Sequence, residues 1–479
     1  MKNLLLLLFA IALLGCKIGD KTEKEANAES KPNVLFIYVD DLRPELGIYG
    51  AKHIKSPNID KLGRESSVFL SAFCNVPVCG ASRASLLTGL RPARNRFLDY
   101  TTWAEEEAPG ISTLPELFKN NGYTTISYGK TFHHTTDNKQ AWDTIWSPNC
   151  PNYLTAENLK LNSVEGQRGL PYENADVPDN SYKDGKLAEK AIEKLLELKE
   201  DNKPFFMSVG FYKPHLAFNA PKKYWDMYDP EKLNVPKACF KPSNAPEEAF
   251  HNSGELKKYY AIPKEGFVND TMAAKLVHGY SACVSYVDAQ IGMVLDELKA
   301  LGLEENTIIV LCGDHGWNLR EHGMWNKQCN FETSLHTPLI VKMPGYKARK
   351  IDDIVEFVDV YPTLCDLAGL QKPVHLEGNT MSEIMKDPEA KSDGIAISKW
   401  FDGVTVITGN YFYTEWISDT DSIYARMLYD HNTDPVEMNN ISESPELQNL
   451  IDSLSTIQRE HRGKDFWIDI SRSRAPVKF

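Results

Sequence analysis

Four short apolar runs in this chain, each ending in acidic, basic or imidazole side chains, limit what it can fold into. Asn33–Val39 reads Asn-Val-Leu-Phe-Ile-Tyr-Val and is followed at once by Asp40-Asp41. Such a run, rich in branched and aromatic residues, suits a strand covered on both faces, as in a parallel sheet. The run 123–128 leads into Gly129-Lys130-Thr131-Phe132-His133-His134, the run 205–209 into Tyr212-Lys213-Pro214-His215, and the run 307–311 into Gly313-Asp314-His315-Gly316. Glu321, His322 and Lys327 follow a little later. Ligands of open α/β sheets bind beyond the carboxyl ends of the strands, so the repetition points to a single site on one edge of one sheet. Two acids at a strand end make good metal ligands, the competing reading being a helix cap at Asp41. Helical segments with one broad apolar face lie between the runs, at 186–200 and 284–300. Strands alternating with helices imply an α/β fold.

Near Asp387-Pro388 the pattern changes to short aromatic and branched runs at 404–408, 411–416 and 425–429, with a turn at Gly409-Asn410. These read as a small antiparallel sheet on which a helix at 445–460 packs. The expected division is therefore a main unit over 32–390 and a smaller α+β unit over 391–479. Segments 149–181 and 231–268 are rich in Asn, Pro and Glu and read as surface loops that shape access to the site. At the N-terminus, Lys2 precedes an apolar stretch over 4–14, which is too short to span a membrane and suits a secretory signal. It ends Leu13-Leu14-Gly15-Cys16, which resembles a bacterial lipobox, the alternative being a signal cut elsewhere. That resemblance implies a signal over 1–15 and an exported lipoprotein held in the cell envelope by a lipid on Cys16. The Lys, Glu, Ala, Asn and Ser that follow read as a flexible tether over 16–31.

The formal net charge of -13 argues against general affinity for nucleic acid, while leaving room for a locally basic site. Of the nine cysteines, Cys74, Cys150, Cys239, Cys283, Cys312, Cys329 and Cys365 show no metal-type C-x-x-C spacing and read as core filling with a bridge or two. Cys79 stands apart. In Val78-Cys79-Gly80-Ala81-Ser82-Arg83 a lone thiol sits at a helix start, four positions before an arginine. Free N–H groups and a guanidinium suit an oxyanion, and the competing reading is a structural cysteine beside a surface arginine.

Taken together, Val39-Asp40-Asp41-Leu42-Arg43-Pro44, Cys79-Gly80-Ala81-Ser82-Arg83, Gly129-Lys130 with His133, Lys213-Pro214-His215, and Asp314-His315-Gly316-Trp317 with Lys327 resemble the type I sulfatases, in particular the iduronate-2-sulfatase branch. The ending from Leu428-Tyr429-Asp430 to Asp434-Pro435-Val436-Glu437 resembles that family's C-terminal signature. The resemblance implies an alkaline-phosphatase-like, mainly parallel mixed sheet flanked by helices, with the smaller antiparallel unit behind it. It also implies that a formylglycine-generating enzyme oxidises Cys79 to formylglycine, whose hydrate is the nucleophile. One hydroxyl of that diol attacks sulfur and expels the sugar oxygen, and the other collapses to the aldehyde and ejects sulfate.

The same resemblance implies one calcium ion held by Asp40, Asp41, Asp314 and His315 together with the modified Cys79. Arg83 and Lys130 would hold the formylglycine, His133 would take a proton as the diol collapses, and Lys327 and His215 would flank the leaving oxygen. His134, Glu321 and His322 match no role. Ala81 departs from the commoner Cys-x-Pro-x-Arg form of the modification motif, and Cys74 lacks an arginine at the required spacing. The implied substrate is a sulfated polysaccharide or its oligosaccharides with a sugar acid near the cleaved ester, such as a glycosaminoglycan or ulvan. Two alternatives are a phosphatase or phosphodiesterase of the same fold, and a polysaccharide-binding lipoprotein whose Cys79 stays unmodified. Cys79 with Arg83 at +4 and the calcium-like ligand set argue against the first.

Overall fold

The computed structural model describes residues 31–236 and 240–462. The signal, Cys16, nearly all of the tether, Cys239 and the end of the C-terminal unit lie outside the described residues. Among the described residues, no helix is long and apolar enough to cross a membrane.

In chain order the elements that carry the site are β1 (Asn33–Val39), β2 (Ser67–Phe73), α1 (Cys79–Thr88), β3 (Thr124–Gly129), β4 (Thr144–Trp146), α2 (Lys183–Asp201), β5 (Phe205–Phe211), α3 (Asp270–Ala300), β6 (Thr307–Gly313), β7 (Leu339–Lys342) and β8 (Arg349–Glu356). The eight strands form one sheet in the order β8-β2-β7-β6-β1-β5-β3-β4. Strand β7 runs antiparallel to β2 and β6, and the other pairs are parallel. β1 lies between β5 and β6 with Val39 level with Phe211 and Gly313, while Gly129 at the end of β3 is level with Gly210. That register, closed by backbone hydrogen bonds, brings the four charged strand ends to one edge.

Side chains of β1 alternate between two cores, as a pleated strand covered on both faces requires. Leu35, Ile37 and Val39 pack with residues of α2 and α3, such as Leu187, Leu195, Val284 and Ile291. Val34, Phe36 and Tyr38 pack on the opposite face with Leu86 and Leu87 of α1. Each such fully buried side chain contributes roughly 1.5–3 kcal/mol, so the strand ends rest on a rigid base.

Helix α3 begins fourteen residues before the apolar periodicity at 284–300 becomes visible; Asn269 caps it by accepting from the Met272 N–H. Its first half supports the site, since Tyr280 Oη donates to the Asp41 carbonyl at 2.9 Å and accepts from the Arg43 N–H at 3.0 Å. The small sheet consists of β9 (Ile395–Trp400), β10 (Gly403–Thr408), β11 (Tyr411–Ile417) and β12 (Ile423–Asp430), antiparallel throughout. The helix α4 (Gln448–His461) packs Ile451 and Leu454 against Val404, Val406 and Tyr413. Cys74, Cys79, Cys150, Cys283, Cys312, Cys329 and Cys365 are all free thiols, so the expected bridge does not occur among the described residues. Core filling is the correct reading for the five buried ones other than Cys79.

Candidate active site

Two consecutive carboxylates of a strand point to opposite faces unless the chain turns. Asp41 makes that turn by adopting φ 61°, a left-handed conformation that Asp tolerates better than most residues. Asp40 and Asp41 therefore both enter the site from the end of β1. Gly129 performs a similar office for β3: its φ of 74° lets the chain swing Lys130 inward, where a Cβ would lie 2.3 Å from the Gly210 carbonyl. Lys327 is held between two further left-handed residues, Asn326 at φ 78° and Gln328 at 79°. Each such non-glycine residue costs about 1–3 kcal/mol, and strain of this kind gathers where a side chain must be aimed.

Cys79 is the first residue of α1, a helix buried along its whole length. Gly80 lets that helix start press on the Tyr100 backbone, where a Cβ would meet the carbonyl oxygen at 2.6 Å. The Cys79 Sγ lies 3.1 Å from His133 Nδ1. Burial alone would push the thiol up, but Lys130 and His133 outweigh it and hold the group well below the ordinary thiol range. An anion at this γ position is favoured.

Around it the charges interlock. The fully buried Arg83 donates from Nε to Asp314 Oδ2 at 2.9 Å, from Nη2 to Asp40 Oδ1 at 3.2 Å, and from Nη1 to the Lys130 and Thr131 carbonyls. Lys130 Nζ sits 2.9 and 2.7 Å from the two oxygens of Asp40. Burial would raise Asp40, yet Lys130, His215 and Arg83 keep it well below the usual carboxylate range.

Asp41 has other company. Lys327 Nζ donates to its oxygens at 3.0 and 3.2 Å, and His215 Nε2 is 3.8 Å away. Here burial wins, and Asp41 is pushed up to about 6 although His215 and Lys327 oppose it. Adjacent residues thus end with opposite tendencies because their cationic neighbours differ.

A cation fits this donor set. His315 Nδ1 pairs with the Gly316 carbonyl at 2.9 Å, which places a proton there and turns Nε2 towards the carboxylates. That Nε2 is buried without a hydrogen-bond partner among the described residues, 3.4 Å from Asp41 Oδ1 and 3.6 Å from Asp314 Oδ1. Two carboxylate oxygens facing Nε2 call for a positive charge between them. A shared cation supplies it, and without one the ring's own proton does, since burial, which lowers the imidazole, is outweighed by Asp314, Cys79 and Asp41, which raise it. Cys79, Asp314 and His315 form one cluster of donor atoms within 4.8 Å of one another, and Asp40, Asp41 and His215 form a second. His215, assigned by sequence to the leaving oxygen, thus also lies beside the expected metal ligands. Hard carboxylate oxygens suit calcium, with the imidazole as the unusual donor.

The structure brings together every residue named for the site: Asp40, Asp41, Cys79, Arg83, Lys130, His133, His215, Asp314, His315 and Lys327. His134, Glu321 and His322 are engaged elsewhere. The first stacks on Trp103 at 4.3 Å, the second pairs with Arg43 at 2.9 Å, and the third stacks on Phe331 at 4.2 Å.

Sequence reading missed Glu255. Its two oxygens reach His215 Nε2 at 3.0 Å and Lys327 Nζ at 3.1 Å, which ties the two candidate proton donors to one point. It lies in a loop without periodicity, and no spacing marks it. Cys79, His133, His215, Glu255 and Lys327 line a cavity of about 240 Å³. A second cavity of about 490 Å³ shares His133, Arg168 and His215 with the first, and extends over Asp40 and Lys130 towards Tyr153 and Lys183. The second falls in the size range of small-molecule sites.

Comparison with known proteins gives a consistent result. Residues 32–370 match the family model described as Sulfatase, and residues 320–464 match that described as N-sulphoglucosamine sulphohydrolase, C-terminal. The chain is 32% identical to iduronate 2-sulfatase of Mus musculus, over 94% of this chain and 97% of that protein. It is 29% identical to an ulvan-active sulfatase of Formosa agariphila, over 96% of this chain and 88% of that one. A solved structure described as bound to its substrate D-glucosamine-2-N,6-O-disulfate shares the fold, with a TM-score of 0.72 at 22% identity over 90% of this chain and 97% of the other.

Proposed function

This chain belongs to the sulfatase family and is a sulfuric ester hydrolase, and from that premise we propose that it desulfates a uronic-acid-containing polysaccharide, or its oligosaccharides, through a formylglycine made from Cys79. The observation that carries the reading is the setting of Cys79, on the first turn of a buried helix with Lys130, His133 and Arg83 gathered around it. An environment that favours an anion at the γ position would equally favour a deprotonated hydroxyl of the aldehyde hydrate, which is what formylglycine supplies as nucleophile. The printed names of the relatives, iduronate 2-sulfatase and ulvan-active sulfatase, support a sulfated sugar polymer that contains uronic acid.

Asp40, Asp41, Asp314 and His315 would hold one calcium ion, which when bound polarises sulfate oxygens. The remaining work falls to the chain. Arg83 locks Asp40 and Asp314 in place by paired hydrogen bonds. Lys130, a point charge between Asp40 and Cys79, neutralises charge that develops on the reacting group. His133 Nδ1, 3.1 Å from the Cys79 γ atom, is placed to accept a proton from the side chain at that position. Lys327 and His215 are placed to protonate the departing sugar oxygen, and Glu255 fixes both.

The reading extends to maturation by a formylglycine-generating enzyme, directed by Arg83. It also extends to export with a lipid on Cys16, supported by Leu13-Leu14-Gly15-Cys16. The test is mass spectrometry of the peptide that spans Cys79, taken from active enzyme, together with sulfate release by Cys79→Ala. The expected results are an aldehyde in place of the thiol, and a loss of about 10⁶-fold, the scale of removing a covalent nucleophile. Active enzyme carrying only a free Cys79 thiol would overturn the mechanism.

A further inference from the structure

The charges that line the two cavities can be accounted for pair by pair. Asp40 is taken by Lys130 and Arg83, and Glu255 by His215 and Lys327. Asp184 accepts the backbone N–H groups of Tyr212 and Lys213 at 2.7 and 2.9 Å. Two cations remain. Arg168 lines both cavities and Lys258 lines the one that contains Cys79, and neither has a carboxylate partner among the described residues.

These two residues come from loops ninety residues apart that the structure stitches together. Arg168 and Tyr259 form a parallel backbone bridge, and the Tyr260 N–H donates to the Gly169 carbonyl at 3.1 Å. The Arg168 side chain is also aimed: its Nη1 donates to Tyr259 Oη at 3.2 Å, and its guanidinium carbon lies 5.1 Å from the centre of that buried ring. A guanidinium held by a neutral phenol keeps its remaining donors and its full charge for a ligand. In a chain of net charge -13, such a spot concentrates an anion locally.

We propose that Arg168, with Lys258 beside it, is an anion subsite that reads a second acidic group of the substrate, a carboxylate or a further sulfate, carried by the sugar residues around the cleaved ester. This rests on the reading of the substrate as an acidic sulfated sugar and names the residues that would choose it. Arg168 acts on binding: it is a specificity-determining residue and takes no part in bond making.

The experiment compares kcat and KM of the wild-type enzyme, Arg168→Ala, Arg168→Lys and Lys258→Ala on four substrates. These are an aryl sulfate, a sulfated disaccharide with one uronate carboxylate, its carboxyl-reduced counterpart, and a counterpart with a second sulfate in place of the carboxylate. The wild-type enzyme is expected to prefer a doubly anionic disaccharide over the carboxyl-reduced one by tenfold or more in kcat/KM. In Arg168→Ala that ratio falls towards one through KM, with Arg168→Lys intermediate and Lys258→Ala losing less. Which doubly anionic substrate carries the preference identifies the group read. A wild-type ratio near one, or a ratio unchanged in Arg168→Ala, overturns the subsite. Wild-type enzyme that cleaves the aryl sulfate but none of the disaccharides overturns the reading of the substrate as a sugar, and the subsite with it.

Discussion

At the strand ends Asp40 and Asp41 are interleaved with cations, whereas at the mouth of the site Arg168 and Lys258 stand without a carboxylate among the described residues. Asp40 with Lys130 and Arg83, and Asp41 with Lys327 and His215, form an array whose members hold one another in place. Arg168 is held by a phenol, which orients it without neutralising it. The inner region is organised before any substrate arrives, as electrostatic preorganisation requires. The outer region keeps its charge open for what it must recognise. On the two proposals, chemistry and choice of substrate fall to different parts of the chain, rigid strand ends and stitched loops.

Three experiments press on this contrast. The strongest asks whether the inner array is complete without a cation. Treatment with a chelator is expected to suppress sulfate release by about 10³-fold or more, since Lewis-acid stabilisation is worth several kcal/mol. Calcium should in turn raise the thermal midpoint, by linkage of about 2.7 kcal/mol at a hundredfold excess over Kd. Full activity and an unmoved midpoint in excess chelator would remove the metal from the account.

The second tests whether Glu255 organises Lys327 and His215. Glu255→Gln is expected to lower kcat on a sugar sulfate by about 10- to 100-fold, part of the range for a general acid, and to cost less on an aryl sulfate, whose leaving group needs less protonation. Burial pulls the His215 imidazole down, but Asp41 and Glu255 outweigh it and set it at about 9. If His215 is the acid, activity falls as pH rises through that value, so loss of Glu255 should move the alkaline limb of kcat to lower pH. Equal losses on both substrates with an unmoved limb would make Glu255 merely structural.

The smallest effect concerns Lys399, a buried cation of β9 in the small sheet. Burial lowers it from 10.5 to about 8, with Asp402 opposing too weakly to restore it. The folded state therefore binds fewer protons than the unfolded state between these values, and stability rises with pH across that window. Below it the lysine costs about 3 kcal/mol. Lys399→Met should accordingly raise the thermal midpoint at pH 7, and the gain should shrink towards zero above pH 10.5. A midpoint gain that is the same at both pH values would show that packing, rather than charge, is responsible.

How much was legible in the chain follows the same division. The four strands that end in site residues announce themselves because both faces are buried and a polar side chain interrupts each run. Ser67–Phe73, Leu339–Lys342, Arg349–Glu356 and the three-residue Thr144–Trp146 did not, although they are half of the sheet. The first carries no charge at its end, the second is only four residues long, and the third is an edge strand whose exposed Lys350 and Asp352 break the apolar run. The start of α3 was hidden by His278, Gly279, Tyr280 and Ser281, poor helix formers that tertiary packing overrides. Glu255 and Arg168 belong to irregular loops, where position depends on contacts between segments distant in the chain and leaves no local period to read.

The complete burial of α1 has a further consequence, for the order of events in the life of the molecule. Cys79 is 3% exposed and Arg83 is 0% exposed, with Gly80 pressed against Tyr100. A maturation enzyme that must grip Cys79-Gly80-Ala81-Ser82-Arg83 as an extended strip finds no such strip once the helix has docked. The proposed oxidation of Cys79 would then belong to the nascent or translocating chain, with folding closing the window behind it. A molecule that folds first would keep an intact scaffold and a thiol that faces the cavity while its flanking motif is locked in the helix.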